Sequence, residues 1–361
     1  MIRTLWLKFV APIDGPLAAI LGLLLLTALG TMASASPARL TTLLTHMAIA
    51  LVALHVIAQQ PPQRLMRFAL PLYLFGLLLL VGVALFGDIS KGARRWLDLG
   101  FIRIQPSELM KIAMPMMLAW YFQRHEGMLR WREYAVATLI LLVPVGLIVR
   151  QPDLGTSILV FASGFFVIFF AGLPWKVMFG LAAAAGAAAP FAWHLLHDYQ
   201  RQRILTLLDP EKDPLGKGFH IIQSTIAIGS GGILGKGWGQ GTQAQLEFIP
   251  ERHTDFIFAV FSEELGLLGN FALLVLYALL IGRGLIIAAQ AATLFSRLLA
   301  GAVTLIFFTY AFVNMGMVSG ILPVVGVPLP FVSYGGTALV TLCLGIGILM
   351  SISKNRMLVQ K

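Results

Sequence analysis

Apolar runs of membrane-spanning length recur along almost the whole chain, and they constrain the fold more than any other feature. About 20 consecutive apolar residues cross a bilayer as an α-helix. Only 12% of the residues are charged, whereas a soluble domain carries about 25%. The sequence therefore predicts an all-α integral membrane protein with about ten transmembrane helices. The runs lie at 16–35, 40–58, 69–87, 107–122, 133–149, 155–172, 175–193, 255–281, 298–319 and 331–352.

The distribution of basic residues predicts the orientation of these helices. Cytoplasmic loops are enriched in Lys and Arg, and here the termini and the loops on their side carry about twice as many as the short loops opposite. We therefore expect a single transmembrane domain over 1–361, with both termini in the cytoplasm. The long segment 194–254 would be external. The net charge of +10 reflects these flanking residues and does not indicate a nucleic-acid partner.

One acidic residue stands at the outer mouth of a predicted span. Residues 250–258 read Pro-Glu-Arg-His-Thr-Asp-Phe-Ile-Phe, and Asp255 opens the apolar run 255–281. A carboxylate at the edge of a membrane span is costly, so it requires a partner or a function. Its position predicts chemistry at the external membrane surface, on a substrate with a lipid end and a polar end.

Other charged residues lie in or beside predicted spans. Glu108 and Lys111 begin the fourth span three residues apart, so they can pair on one helix face. A structural ion pair is one interpretation, and a phosphate contact or proton path through Lys111 is the other. Asp153, in the turn 150–156, can cap the following helix or share a site with Asp255. For the adjacent acids Glu263 and Glu264, a packing role and a functional role are both open.

Three connecting segments have distinctive compositions. In 88–106, basic residues that include Arg94 and Arg95 alternate with apolar ones, which indicates an amphipathic element on the membrane surface. The glycine-dense run 229–241 contains Lys236 and predicts either a phosphate cradle or a flexible loop. Residues 321–336 are uncharged and rich in Pro and Gly. Non-helical backbone of this kind is tolerated in a membrane where it is buried or lines a cavity, so we expect a re-entrant or cavity-lining segment that leads into the last span.

Three motifs resemble those of a known family. They are Gln-Pro-Asp-Leu-Gly-Thr at 151–156, Pro-Glu-Arg-His-Thr-Asp-Phe-Ile-Phe-Ala at 250–259 running on to Glu-Glu-Leu-Gly, and Gly-Val-Pro-Leu-Pro-Phe-Val-Ser-Tyr-Gly-Gly at 326–336. In this order, and across nearly the whole chain, they resemble the SEDS family (shape, elongation, division and sporulation). Leu-Asp-Pro followed by Asp-Pro at 208–214 makes the chain more similar to the elongation branch, RodA, than to the division branch, FtsW.

The resemblance implies a peptidoglycan glycosyltransferase that polymerises lipid II outside the bacterial inner membrane during cell elongation. A class B penicillin-binding protein and other membrane proteins of the elongation complex would be its partners. It places the family's essential acid at Asp255, its paired Glu and Lys at Glu108 and Lys111, and the Asp of its Gln-Pro-Asp turn at Asp153.

Glycan polymerisation requires a sugar hydroxyl to attack an anomeric carbon that carries a lipid pyrophosphate. A carboxylate base within about 3 Å is worth about 10²–10⁴ in rate, and Asp255 is the candidate. Cations or a metal would offset the charge of the leaving pyrophosphate. A divalent cation is chemically plausible, although no ligand spacing indicates one. The candidate substrate-binding or supporting residues are Glu108, Lys111, Asp153, Glu251, Arg94, Arg95, Arg201, Arg203 and Lys236.

Two other classes of function remain open at this point. A transporter that moves lipid II across the membrane would also carry ionisable residues inside its spans. A scaffold for the wall-synthesis complex would tolerate replacement of Asp255 without loss of function. The acids cluster toward the predicted exterior, which favours chemistry at the surface.

Overall fold

The computed structural model describes residues 13–90, 93–98, 100, 103–127, 130–195, 198–212, 216–249 and 251–355. Within these residues ten long helices form, and each overlaps one of the predicted spans. Three shorter helices lie between the seventh and eighth of them. In chain order the helices are α1 (Gly15–Ala35), α2 (Leu40–Ala58), α3 (Pro62–Phe86), α4 (Pro106–Arg124), α5 (Trp131–Arg150), α6 (Leu154–Phe170), α7 (Trp175–Leu195), α8 (Asp198–Leu208), α9 (Lys217–Ser230), α10 (Thr242–Gln245), α11 (Ile257–Ala289), α12 (Leu294–Val318) and α13 (Gly336–Lys354).

The prediction of an all-α, multi-pass membrane protein is confirmed. Of the described helices, seven are long and apolar enough to cross a membrane: α1, α2 with the turn before it, α3, α5, α11, α12 and α13. Helix α6 and the stretch Trp175–Ala188 of α7 are apolar but shorter. Helix α4 carries Glu108 and Lys111 near its start and does not reach the same apolar character. The count of ten spans therefore stays a prediction.

Helix α12 lies at the centre of the bundle. It packs against α4, α6, α11 and α13, and it is among the most completely buried of the apolar helices. Helices α2 and α13 also pack closely, since a Cβ atom at Gly347 would lie only 2.6 Å from the Leu54 carbonyl oxygen. Small residues allow such close approach between helices in a membrane, where van der Waals packing drives association.

The described residues of 88–104 form a small antiparallel sheet. Strands β1 (Asp88–Ser90), β2 (Ala93–Asp98) and β3 (Arg103–Ile104) pair in that order. Register partners include Leu97 with Ile104 and Asp98 with Arg103. The interleaved basic and apolar residues of this segment therefore lie on strands, in which successive side chains point to opposite faces.

The long segment between α7 and α11 is mostly helical, although a loop was expected there. It contains α8, α9, α10 and the 3-10 turn Pro210–Lys212. By contrast, residues 321–335 have no regular structure, and several of their apolar side chains are buried against the bundle. This non-helical backbone is therefore packed against protein at 327 and 329–333, and its interpretation as a re-entrant or cavity-lining segment stays a prediction.

Candidate functional site

Asp255 lies in a half-buried turn directly before α11, and the turn is fixed to two other parts of the fold. The side-chain amide of Asn314 donates to the carbonyl oxygens of Asp255 (2.9 Å) and Val327 (2.7 Å). The Ser333 hydroxyl donates to the Thr254 carbonyl oxygen at 2.7 Å. The backbone that carries Asp255 is thus held between α12 and the segment 321–335.

Asp153 caps a helix, as one of the two interpretations expected, and it is also a member of a polar cluster, while a site shared with Asp255 stays a prediction. Its carboxylate accepts from the Thr156 amide at 3.2 Å, which caps α6, and from Gln105 Nε2 at 3.2 Å. Arg95 Nε lies 3.7 Å from the same carboxylate, and the Arg95 guanidinium also donates to the Pro152 carbonyl oxygen. The cluster joins β2, the start of α4 and the start of α6.

Glu108 and Lys111 form an ion pair, with 2.6 Å between Lys111 Nζ and Glu108 Oε1. The ammonium also donates to the Tyr310 hydroxyl at 2.6 Å, and Lys111 is 3% exposed. Glu108 Oε2 is buried and has no hydrogen-bond partner within the part of the chain that is described. The pair therefore keeps one carboxylate oxygen available.

Sequence reasoning missed Tyr310 and Asn314, which connect these groups. They are four residues apart on α12, so their side chains lie on one face, one turn apart. Tyr310 contacts Lys111, and Asn314 contacts the backbone of Asp255. The available signal was two polar groups at this spacing within an otherwise apolar span.

The segment 325–327 connects the start of α6, near Asp153, to Asp255. A Cβ atom at Gly155, two residues after Asp153, would lie 2.6 Å from the Val325 carbonyl oxygen. A Cβ atom at Gly326 would lie 3.4 Å from Asp255 Oδ2. The segment therefore packs against the start of α6 and beside the Asp255 carboxylate.

A cavity of 1010 Å³ lies among α2, α3, α4 and α13. Its walls are mostly apolar side chains such as Leu65, Leu109 and Ile112. Glu108 and Gln105 line it at the end nearest the β-sheet, together with His46, Arg103 and Trp96. Gln60 and Arg64 line the opposite end. An apolar chamber with polar groups at its ends suits an amphiphilic ligand.

A row of rings leads from this cavity toward Asp255. The ring centroid of His46 is 5.7 Å from that of Tyr334, which is 5.9 Å from that of His253. The Arg39 guanidinium lies over the Tyr334 ring, 5.5 Å from its centroid. Since His253 precedes Asp255 by two residues, the mouth of the cavity and the acid belong to one region.

Lys236 is placed differently from its predicted role as a phosphate contact. Its Nζ lies 2.7 Å from Glu263 Oε1 and 2.9 Å from Thr242 Oγ1. The backbone amides of residues 236 and 237 donate to carbonyl oxygens of α11. The glycine-rich run thus approaches another backbone closely, and two of the amides of the predicted phosphate cradle are occupied within the protein.

Of the remaining candidates, Glu251 lies in the turn that carries Asp255. Glu251 Oε2 accepts from the Thr254 hydroxyl at 3.0 Å, within the turn that carries Asp255. Arg201 donates to the carbonyl oxygens of Trp193 and His194, at the corner between α7 and α8. Arg203 lies on α8, half-buried. The backbone of Arg94 belongs to β2, and its side chain lies outside the described residues.

No group of three or more His, Cys, Asp or Glu side chains in the described ranges could hold a metal ion. The divalent cation considered from the chemistry therefore has no candidate ligand set among these residues. Its involvement stays a prediction.

Comparison with known proteins agrees with the motifs. Residues 10–358 match the FtsW/RodA/SpoVE family, described as a cell cycle protein family. The chain belongs to this family. It is 56% identical over 317 residues to the peptidoglycan glycosyltransferase MrdB of Escherichia coli K12, which covers 88% of this chain and 86% of that protein. The resemblance to the SEDS family is thereby confirmed.

Two solved structures share the fold. A chain from a study of structural coordination of polymerization and crosslinking by a peptidoglycan synthase complex has a TM-score of 0.83 at 36% identity, covering 96% of this chain and 98% of that one. The rod shape determining protein RodA of Thermus thermophilus has a TM-score of 0.72 at 29% identity, covering 96% of this chain and 98% of its own.

Proposed function

We propose that this chain is a peptidoglycan glycosyltransferase that polymerises lipid II at the outer face of the bacterial inner membrane during cell elongation. The observation that carries the proposal is an apolar cavity of 1010 Å³ with polar ends, linked to the turn that holds Asp255 by the rings of His46, Tyr334 and His253. The name of the Escherichia coli relative supports the reaction class. The fold shared with RodA and with a chain of a peptidoglycan synthase complex supports the setting.

In this proposal the cavity holds the polyprenyl chain, and the headgroup lies at the end near the β-sheet. Burial of the lipid tail would contribute about 25 cal/mol for each Å² of apolar surface removed from water. Gln105 and His46 line that end of the cavity and can donate hydrogen bonds to the headgroup. The predicted orientation of the chain places this end at the external surface.

Asp255 would act as the general base. It would take the proton of the acceptor hydroxyl while the hydroxyl oxygen bonds to the anomeric carbon of the donor. The bond from that carbon to the pyrophosphate oxygen breaks, and the lipid pyrophosphate leaves with the electron pair. A positioned carboxylate contributes about 10²–10⁴ in rate to such a step.

The leaving pyrophosphate requires positive charge nearby. The candidate cations differ in their contacts with carboxylates and in their exposure. Lys111 and Arg95 are each beside a carboxylate, Glu108 and Asp153 respectively. Such cations are held in fixed positions but are partly neutralised. Arg103, which was not among the candidates, lines the cavity with 53% of its side chain exposed, and it also lies beside carboxylates, 3.5 Å from an Asp88 oxygen and 4.0 Å from an Asp98 oxygen. Its exposure at this end of the cavity would let it meet an entering headgroup, whereas Lys111 is buried.

The test is glycan polymer formed by the purified, reconstituted chain from lipid II. Asp255→Asn keeps the side-chain size and removes the base, so polymer should fall by about 10²–10⁴. The control is Glu211→Gln, an exposed acid in the turn Pro210–Lys212. Undiminished polymer from well-folded Asp255→Asn protein would remove the base assignment.

The partner we propose is a class B penicillin-binding protein, which would supply transpeptidation, together with other membrane proteins of the elongation complex. The support is that one fold relative comes from a complex that coordinates polymerization and crosslinking. Co-purification of this chain with a tagged transpeptidase from the same cells tests the pairing. Recovery of the transpeptidase without this chain would contradict it.

Lipid transport is the second candidate, because the cavity continues to Gln60 and Arg64, at the predicted cytoplasmic end of α2 and start of α3. A cavity with polar groups at both ends is a feature that a pathway across both leaflets would need. Transport predicts flux of labelled lipid II across vesicles that contain the Asp255→Asn protein. Polymer without flux from the unmodified chain would exclude it.

A further inference from the structure

The helix that follows Asp255 is broken near its start. Gly266 has φ 62° and ψ −159°, which divides α11 into a short first part, 257–265, and a long second part. Glycine adopts such a conformation readily, whereas other residues do so only under strain. Residues 255–265, here called the Asp255 segment, can therefore take a position that is independent of the rest of α11.

The glycine-rich segment 231–237 fills the break. In an unbroken helix, amides 267 and 268 would donate to carbonyls 263 and 264. Here all four of these groups bond to the glycine-rich segment instead, so none of them is left without a partner by the break. The bonds run from Leu267 N to Gly232 O (2.9 Å), from Leu268 N to Ile233 O (3.1 Å), from Lys236 N to Glu263 O (3.0 Å) and from Gly237 N to Glu264 O (3.0 Å).

This pairing depends on glycine at particular positions. A Cβ atom at Gly235 would lie 2.1 Å from the Glu264 carbonyl oxygen, and one at Gly231 would lie 2.2 Å from the Ser262 carbonyl oxygen. Real Cβ atoms do not approach so closely. The glycines therefore allow the loop backbone to lie directly against the Asp255 segment.

The Glu263 side chain joins the Asp255 segment to two parts of the segment 231–244, Lys236 and residues 242–244. The residue is fully buried, and its Oε1 accepts from Lys236 Nζ (2.7 Å), Thr242 Oγ1 (3.1 Å) and the Gln243 amide (3.1 Å). Its Oε2 faces the Ala244 amide at 3.4 Å. A buried carboxylate is tolerated when it is paired and hydrogen-bonded in this way.

We propose that Glu263, through its bonds to the segment 231–244, is a positioning residue for Asp255. The inference rests on the proposed function, because it assigns Glu263 a role in placing the base. Glu263 fixes the far end of the Asp255 segment, while Asn314 and Ser333 fix its near end. When the segment 231–244 is released, amides 267 and 268 can bond to carbonyls 263 and 264, so α11 straightens. The straightened helix strains the bonds from Asn314 and Ser333 that hold the turn, and this strain displaces Asp255.

The kinetic test compares kcat and KM for lipid II polymerisation by the full reconstituted chain. Glu263→Gln should lower kcat by up to about 10²-fold, since a displacement of about 1 Å in a reacting group has this effect. KM should change little, because Glu263 does not line the cavity described above. The matched control is Asp209→Asn, which breaks an exposed pair in the same external segment with Lys212 (2.9 Å) and should leave both constants unchanged.

The structural test does not depend on activity. Spin labels at Gln245 and Leu274, both exposed, report the distance between the loop and the second part of α11. The distance distribution should be narrow in the unmodified chain and broad in Glu263→Gln. The double variant Glu263→Gln with Lys236→Gln also removes the unpaired charge of the half-buried Lys236, so it should fold and still show the low kcat and the broad distribution.

Unchanged kcat together with a narrow distribution in the double variant would overturn the proposal. A raised KM with unchanged kcat in Glu263→Gln would also overturn the proposal, because it would indicate that Glu263 and its partner Lys236 act on substrate binding. Asp255→Asn is measured alongside. If that variant keeps full activity, the base assignment fails, and the label distances still decide whether Glu263 holds the loop against the helix.

Discussion

Two acids at opposite ends of the bundle, Asp14 and Glu108, differ in how many of their carboxylate oxygens are hydrogen-bonded within the described part of the protein. Asp14, before α1, accepts from the Leu17 amide, from two nitrogens of Arg283 and from the Ser353 hydroxyl. Glu108 uses one oxygen on Lys111 and leaves the other buried at the wall of a cavity. An acid with both oxygens occupied holds helices together, whereas an acid with an available oxygen beside a cavity can also meet a ligand.

The largest predicted effect is a loss of stability when the Glu108–Lys111 pair on α4 is broken. Lys111→Met leaves Glu108 without its cation in a mostly buried position, so the free energy of unfolding should fall by about 3–5 kcal/mol. Denaturant titration in detergent measures this fall. The double variant with Glu108→Gln removes the unpaired charge and should recover most of the loss, while polymer formation stays low.

If instead the double variant regained full polymer formation, the pair would serve stability alone. The difference from Asp14 would then disappear, because both acids would be structural. Recovery of stability without activity is the outcome that keeps the two acids distinct.

At the other acid, Asp14→Asn should lower the free energy of unfolding by about 1.5–3 kcal/mol, the range for hydrogen bonds to a charged group. Polymer formation for each folded molecule should not change, since Asp14, Arg283 and Ser353 do not line the cavity. The same titration, paired with the polymerisation assay, checks both statements. A loss of specific activity at unchanged stability would contradict the structural role.

The smallest predicted effect is the pH dependence of the contribution that Asp14 makes to the free energy of unfolding. Burial by itself would raise the pKa of the Asp14 carboxyl, but the hydrogen bonds from Arg283, Ser353 and the Leu17 amide, with the Arg283 charge, hold this pKa below its ordinary value of 3.8. The carboxylate therefore adds stability above pH 3.8, and this contribution is lost as the pH falls below that value through the folded-state pKa. The difference in unfolding temperature between the unmodified chain and Asp14→Asn should be full at pH 6 and shrink toward pH 3. A constant difference would contradict the assignment.

The sequence predicted the helices well because bilayer crossing leaves a local signal of about 20 apolar residues. It also predicted the Glu108–Lys111 pair, since residues at this spacing on one helix must meet. Asp255 was identified as a candidate from the cost of a charge at a membrane edge. In each case the information lies within a few turns of the chain.

The rest depends on contacts between distant residues. Lys236 is a cation beside glycines in the sequence, and no residue near it in the sequence indicates that it forms an ion pair with Glu263. Tyr310 and Asn314 lie in a span whose apolar pattern conceals them. The sheet 88–104 was expected only as a surface element, because three strands of at most six residues carry too short a period to separate from a helix.

The cavity among α2, α3, α4 and α13 has rim residues that face outward from the bundle. Phe68 is 63% exposed and Ile49 is 54% exposed, so the opening faces the surrounding lipid. A compound that enters by this route arrives at a concentration set by its partitioning into the bilayer. Inhibitor strength at this protein should then follow lipid solubility as well as shape, and potencies measured in detergent should differ from those in vesicles.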